Sequence, residues 1–249
     1  MMDRYIPFHL IPEILSKLPV KSLLKFKCVS KSWLALISSP QFIKAHLNYQ
    51  TSLINQSLLV LENNCSFKYC SLNSLLYGQA SPHVLIPQDE GALTTTNDRN
   101  LCRYFEIVGC CEGLICICVF RPRQSYFFLW NPSIRKYKNL PELILPSTAS
   151  LSVISGFGFD ASSDDYKVVV LVMNAKYSRY GTLVYSSKAG AWRRIADLPG
   201  DTSYLSSGPG VLVEGKLHFL AKETARGAYI VSLDLATEMY RELEAPNPN

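Results

Sequence analysis

Apolar positions along the chain recur with two different periods, and the change falls near residue 50. From Pro7 to Leu47 the spacing is helical. Leu10, Ile14, Leu15 and Leu18 mark a first helix between Pro7 and Lys17. Pro7 suits a first helical position, where the missing N–H costs nothing. Pro12 removes an internal hydrogen bond, which places the expected start of the helix there. Pro19 ends it. Ser22 to Phe26 reads as a second short helix with Leu23, Leu24 and Phe26 apolar. Val29 to Ile37 reads as a third, with Val29, Trp33, Leu36 and Ile37 on one face. Ser39-Pro40 is an N-cap followed by proline and opens a fourth helix carrying Phe42, Ile43 and Leu47. Four short helices in about forty residues make a marginal domain on their own. Their many apolar residues need a partner surface.

After Asn48 the pattern becomes that of strands. Ser57 to Leu61, Phe67 to Leu72 and His83 to Pro87 are short apolar strands, and Gly91 to Asn100 is a polar, threonine-rich surface loop. Ile107 to Cys110, a Cys-Glu-Gly turn, and Leu114 to Phe120 form a hairpin, followed by a strand at Tyr126 to Trp130. Ser155 to Asp160 and the run from Asp164 flank a polar turn, and Gly210 to Phe219 is a hairpin turning at Glu214-Gly215.

An internal repeat organises this half. Leu129-Trp130-Asn131 leads through a polar turn to Tyr137 and Leu140-Pro141. Val184-Tyr185-Ser186 leads to Trp192 and Leu198-Pro199. Ser232-Leu233-Asp234 leads to Tyr240 and Pro246. Each unit has a large apolar residue, an aromatic seven positions on, then a basic residue and a proline. The units recur at intervals of 55 and 48 residues. A period near fifty with paired strands is the mark of propeller blades of the kelch type. The apolar residue and the aromatic are expected on facing strands of one hairpin, and blades stack because none can bury its face alone.

Composition narrows the class. The chain has 249 residues, 48% hydrophobic and 18% charged, which is globular and not disordered. The best apolar run, Leu114 to Phe120, is far short of the ~18 residues of a membrane span. The N-terminus has no long apolar stretch of a secretory signal, so a soluble intracellular protein is expected. The net charge of +5 is uneven. Residues 1–50 hold Arg4, Lys17, Lys21, Lys25, Lys27, Lys31 and Lys44 against Asp3 and Glu13, and the remainder carries 18 basic and 18 acidic side chains. The helical segment therefore holds the whole excess, which steers an acidic partner to it. The eight cysteines lack the spacing of a metal site and are expected as reduced apolar packing residues.

The stretch Ile6-Pro-x-x-Leu-x-x-Glu-Ile-Leu-x-x-Leu-Pro-Val-Lys-Ser-Leu-Leu-x-Phe-x-Cys-Val-Ser-Lys-Ser-Trp33 resembles an F-box. Gly-Cys-Cys-Glu-Gly-Leu-Ile-Cys, Leu-Trp-Asn-Pro-Ser-Ile-Arg-Lys-Tyr, Gly-Phe-Gly-Phe-Asp with Asp-Asp-Tyr-Lys-Val-Val, and Glu-Gly-Lys-Leu-His-Phe-Leu resemble the motifs of the F-box-associated, kelch-like domain of a large plant family, in order. The resemblance covers almost the whole chain. It implies an α+β multidomain fold: a small helical F-box at residues 5–48, then an all-β, kelch-like propeller domain at residues 55–249. Family chains usually continue beyond the strand at Ile230 to Leu235, so the propeller is expected to be incomplete. The resemblance further implies a non-catalytic substrate receptor of an SCF-type ubiquitin ligase. Pro7, Leu10, Ile14, Leu15, Leu18, Pro19, Leu23, Leu24, Val29 and Trp33 would dock on the acidic Skp-type adaptor, and through it on a cullin-RING ligase. About half of them are expected to pack the F-box itself. The propeller would hold an unidentified protein target, in cytosol or nucleus.

Other chemistry finds little footing. His9, His46, His83 and His218 do not converge in sequence, and no nucleophile elbow, Walker loop or dinucleotide fingerprint occurs. Asp160, Asp164 and Asp165 lack EF-hand spacing and read as a polar turn. No catalytic residue, cofactor or metal is therefore assigned. Lys21, Lys25 and Lys31 raise nucleic-acid binding as a lesser alternative, which would leave the apolar face bare. A second alternative is a shortened adaptor-binding chain that recruits no target. The surface loops Arg121 to Ser125, Ala175 to Tyr180 and Thr224 to Gly227 do not name one.

Overall fold

The computed structural model describes residues 6–52, 57–62, 66–71, 83–85, 104–121, 124–143, 149–174, 179–199, 204–206, 208–223 and 227–244. The expected loop at Gly91 to Asn100, Arg4, and the central parts of the three surface loops lie outside them. The chain divides into two compact units, Met1–Pro87 and Gln88–Asn249.

The first unit opens with four helices: α1 (Leu10–Ser16), α2 (Val20–Phe26), α3 (Lys31–Ser38) and α4 (Pro40–Ser52). α1 starts two residues before Pro12. The Leu10 N–H donates to the Pro7 carbonyl at 3.0 Å and Ile11 to Phe8 at 3.3 Å, which makes a lead-in turn. Pro12 then falls in the first helical turn, where an N–H has no intrahelical acceptor. α3 starts later than the apolar pattern implies, because extended Ser30 caps it: its Oγ accepts from the Trp33 N–H at 3.2 Å. Ser39 serves two helices. Its Oγ donates to the Leu36 carbonyl and accepts from the Phe42 N–H. Leu15, Leu23, Ile37 and Phe42 form the small core, with Ile11, Leu18, Phe26, Trp33 and Leu36 around it. Buried His46 donates from Nε2 to the Leu18 carbonyl at 2.9 Å and so ties α4 to the end of α1. Three antiparallel strands follow, β1 (Ser57–Glu62), β2 (Ser66–Ser71) and β3 (His83–Leu85), in that order across the sheet.

The second unit is all β. Its first sheet is β4 (Tyr104–Cys111), β5 (Leu114–Arg121), β6 (Gln124–Asn131) and β7 (Lys136–Asn139), paired in that order. Its second is β8 (Ala149–Asp160), β9 (Asp165–Asn174), β10 (Arg179–Ser186) and β11 (Ala191–Arg194), again a meander. In the third, β12 (Tyr204–Leu205) and β13 (Val211–Val213) both pair with β14 (Lys216–Glu223), followed by β15 (Gly227–Asp234) and β16 (Tyr240–Glu244). Glu112-Gly113 and Glu214-Gly215 take positive φ at both positions, the two-residue hairpin turn whose twist matches the strands.

The sequence repeat is the outer hairpin of each sheet. Trp130 lies opposite Tyr137, Tyr185 opposite Trp192 and Leu233 opposite Tyr240. The polar residue after each apolar one caps the turn: Asn131 Oδ1 accepts from Ser133 and Ile134, Ser186 Oγ from Ala189, and Asp234 Oδ1 from Ala236 and Thr237. The sheets pack as successive blades. On β9, Val168, Val170 and Val172 join the core shared with the first blade, and Val169 and Leu171 join the core shared with the third. Both faces of that strand are covered, which is why its sequence is a continuous apolar run. Gly156 and Gly210 let the second and third blades meet at backbone distance, with the Gly210 N–H 2.7 Å from the Ser155 carbonyl.

Candidate functional site

On α1 two apolar stripes run side by side. Ile11 and Leu15, with Leu18 just past the helix end, turn into the core, while Leu10 and Ile14 stay exposed one turn apart. The ten residues proposed for docking divide accordingly. Leu15 and Leu23 are buried, at 1% and 5% exposure, and Leu18 and Trp33 are half-buried against the same core. Trp33 meets Phe26 edge-on at 5.6 Å. Pro7, Leu10, Ile14, Pro19, Leu24 and Val29 are exposed, Val29 to 60%. Sequence periodicity missed Phe8, the most exposed large apolar side chain among the described residues at 79%, and Ile6, because both precede the helix. Leu34 and Ile43 are also exposed.

The same helical module carries six lysines, from Lys17 to Lys44. Lys17 pairs with Glu13 at 3.0 Å one helical turn away, and that hydrogen bond and charge raise its pKa. Among the described residues, Lys21, Lys25, Lys27, Lys31 and Lys44 have no carboxylate within 4 Å. The same small module thus carries both exposed apolar side chains and lysines without a carboxylate partner among the described residues.

The second unit carries polar clusters of structural character. Lys167, on β9, reaches Asp160 at 3.0 Å, Glu238 at 3.1 Å and the Leu235 carbonyl at 2.6 Å, and Arg193 holds Glu238 from the other side. Burial would lower the Lys167 pKa, but the two carboxylates outweigh it and raise it. Burial likewise opposes ionisation of Asp160, but Ser162, Ser163 and Lys167 hold it well below the usual carboxylate range. Asp165 is held down by Ser186, the Lys188 N–H and Ser187, again against burial. The aspartates of the expected polar turn are thus taken up by local partners; Asp164 lies 3.7 Å from Lys188. Cys116 and Cys118 are buried between the first two blades, where desolvation pushes their thiols up. Burial and Glu112 push the Cys111 thiol up to about 11. These are packing cysteines, not nucleophiles. His9 is exposed, His46 is tied to Leu18 and His218 is half-buried on β14, so the three described side chains stand on separate elements. Among the described residues no group of three or more His, Cys, Asp or Glu side chains could hold a metal ion. No helix there is long and apolar enough to cross a membrane.

A basic four-helix module followed by blade-type sheets is the organisation of an F-box protein. The F-box domain model matches residues 5–45, and the F-box associated beta propeller domain model matches residues 57–249; the chain belongs to that family. An F-box/kelch-repeat protein of Arabidopsis thaliana is 32% identical over 249 residues, which cover 97% of this chain and 65% of the relative. The F-box protein CPR1 of the same plant is 28% identical over 265 residues, covering 97% and 58%. The chain thus spans less than two thirds of the length of the curated relatives it matches. Among solved structures, TolB from Acinetobacter baumannii aligns over 85% of this chain and 60% of its own at 9% identity with a TM-score of 0.34, too slight a likeness to bear on the fold.

Proposed function

We propose that this protein is a non-catalytic substrate receptor of an SCF-type ubiquitin ligase, acting in cytosol or nucleus. The F-box at residues 5–48 binds a small acidic Skp-type adaptor, and through it a cullin-RING ligase. The propeller domain at residues 55–249 holds a protein target. No bond is made or broken by this chain. It raises the effective concentration of the target beside the conjugating enzyme.

The observation that carries this reading is the exposed apolar set on a lysine-rich module: Pro7, Leu10, Ile14, Pro19, Leu24 and Val29. Leu15, Leu18, Leu23 and Trp33 support it from beneath by fixing the helices. Burying a Val, Leu or Ile side chain contributes roughly 1.5–3 kcal/mol, so a few such anchors suffice for a stable complex. The test is co-purification of the adaptor with the full chain and with an Ile14→Asp/Leu24→Asp variant. The adaptor is expected to be lost while the variant keeps its helical circular dichroism. Leu15 is a poor probe, because charging a 1%-exposed side chain unfolds the module. Retention of the adaptor by the variant would refute the docking face.

A second reading is that the chain binds the adaptor but recruits no target and acts by competition. A reconstituted ligase separates the two. Ubiquitin transfer to a co-purified protein supports the receptor; adaptor occupancy without transfer supports the competitor.

A further inference from the structure

Between α2 and α3 the chain crosses the surface in the open. Cys28, Val29, Ser30, Lys31 and Ser32 are all exposed. Ser30 is extended, with φ −159° and ψ 163°. Its Oγ accepts from the Trp33 N–H at 3.2 Å and lies 2.9 Å from Ser32 Oγ, so its hydrogen bonds are local ones within an exposed segment.

Cations flank this serine. Lys27 lies three positions before it, Lys25 five before and Lys31 one after. None of the three has a carboxylate within 4 Å among the described residues. A protein kinase whose substrate groove is acidic selects an accessible serine with a basic side chain three positions ahead, because complementary charge decides which segment docks. That spacing occurs three times in the sequence, at Lys27–Ser30, Lys68–Ser71 and Arg179–Thr182. Ser71 is paired with Ser57 in β2, and Thr182 is fully buried on β10. Ser30 alone of the three stands outside a strand, in an exposed connection.

We infer that Ser30 is a phosphorylation site for a basic-directed protein kinase, and that its phosphate turns off docking of the acidic adaptor while the F-box stays folded. The second half rests on the adaptor-binding reading above. In the transfer a bond forms between Ser30 Oγ and the γ-phosphorus of a nucleoside triphosphate. The bond from that phosphorus to the β,γ-bridging oxygen breaks, the nucleoside diphosphate leaves with the electron pair, and a carboxylate of the kinase takes the hydroxyl proton. The helix tolerates the product. Phosphate oxygens accept from the Trp33 N–H as the hydroxyl oxygen does, and α3 has no acidic residue in its first turn to repel them. Docking does not tolerate it. Val29, 60% exposed and one of the proposed docking residues, is the adjacent position. The phosphate carries a charge of about −2 at pH 7, which takes residues 1–50 from +5 to about +3 and sets the new charge where an acidic partner would approach.

For the test, the full chain is incubated with protein kinase A and ATP, and the modified residue is read by mass spectrometry. Phosphate is expected on Ser30, with incorporation about tenfold slower in Lys27→Gln. No incorporation, phosphate on Ser32 or elsewhere in place of Ser30, or an equal rate in Lys27→Gln would overturn the site. The treated chain is then passed over an immobilised Skp-type adaptor at two ionic strengths. Its association should be about tenfold slower than that of the untreated chain at low salt, with a smaller difference at high salt. Its helical circular dichroism should be unchanged and its melting temperature no lower. Kinase-treated Ser30→Asn, which keeps a capping oxygen but no hydroxyl, should associate like the untreated chain. Undiminished association of the phosphorylated chain, or a lower melting temperature, would overturn the switch and leave the site intact. An untreated chain that binds no adaptor would overturn the receptor reading and the switch with it, and the mass spectrum would still decide the site.

Discussion

Lys167 keeps 8% of its side chain exposed between two carboxylates and a carbonyl, and the charges there balance only as a set. Lys167→Met leaves Asp160 and Glu238 ionised without their cation. Breaking a buried pair in this way costs about 3–5 kcal/mol, so the urea midpoint should fall sharply. The pH dependence provides a second check. Asp160, Asp165 and Glu238 have folded values below the ordinary carboxylate range. The unfolded chain takes up their protons first, near pH 4, so their contribution is full above about pH 5 and drains away as pH falls toward the folded values. In Lys167→Met the folded values of Asp160 and Glu238 rise, and the acid-side loss of stability should flatten. Urea melts between pH 3 and 7 on both proteins measure this; parallel slopes would disprove the linkage. Gly210 is a second sensitive residue. A Cβ there would stand 2.5 Å from the Phe219 ring, at the strand that bonds Ser155. Gly210→Ala should destabilise by about 1–3 kcal/mol, seen as a lower urea midpoint with an unchanged slope.

At the scale of the element, the outer hairpin does more than its pattern says. Its aromatic reaches back to the preceding blade: Trp192 Nε1–H donates to the Pro141 carbonyl at 2.8 Å, and the Tyr240 hydroxyl lies 2.7 Å from buried Thr182 Oγ1. Tyr240→Phe leaves Thr182 unpaired and should cost about 1–3 kcal/mol, whereas Tyr240→Phe with Thr182→Val removes both partners and should recover much of the loss. A double-mutant cycle in urea reads the coupling; additive costs would deny it. The hairpins themselves were legible, because the seven-residue step from apolar residue to aromatic spans one turn and sets the two face to face. The helices were legible too, apart from three starts: two fixed by local bonds at Pro7 and Ser30, and that of α2, which begins at Val20 directly after Pro19 and not at Ser22. Two things were not. On α1 the docking and core stripes are both aliphatic, so spacing alone could not part Leu10 and Ile14 from Ile11 and Leu15. The Lys167–Glu238 clamp joins residues 71 apart in different blades, and nothing near either residue announces the other.

For the whole molecule, the placement of charge and of apolar exposure in one module makes two separable contributions to the proposed adaptor complex. All of the excess positive charge lies in residues 1–50, and the remainder is neutral. Long-range attraction acts before contact, so it sets the association rate and fades with salt. Apolar contacts act only after water has left, so they set the dissociation rate. Replacing Lys21, Lys25 and Lys31 with Gln should lower the association rate about tenfold at low salt, flatten its salt dependence and leave dissociation within about twofold. Replacing Ile14 and Leu24 with Ala should do the reverse: dissociation about tenfold faster or more, with association unchanged. Surface plasmon resonance against a Skp-type adaptor at two ionic strengths resolves both. The same pair of variants tests the nucleic-acid alternative. A duplex bound through phosphates would respond to the lysines and to salt but not to Ile14 and Leu24. An adaptor complex that loses nothing when those two apolar side chains are cut back would show that charge alone holds it, and the exposed apolar residues of the module would then need another partner.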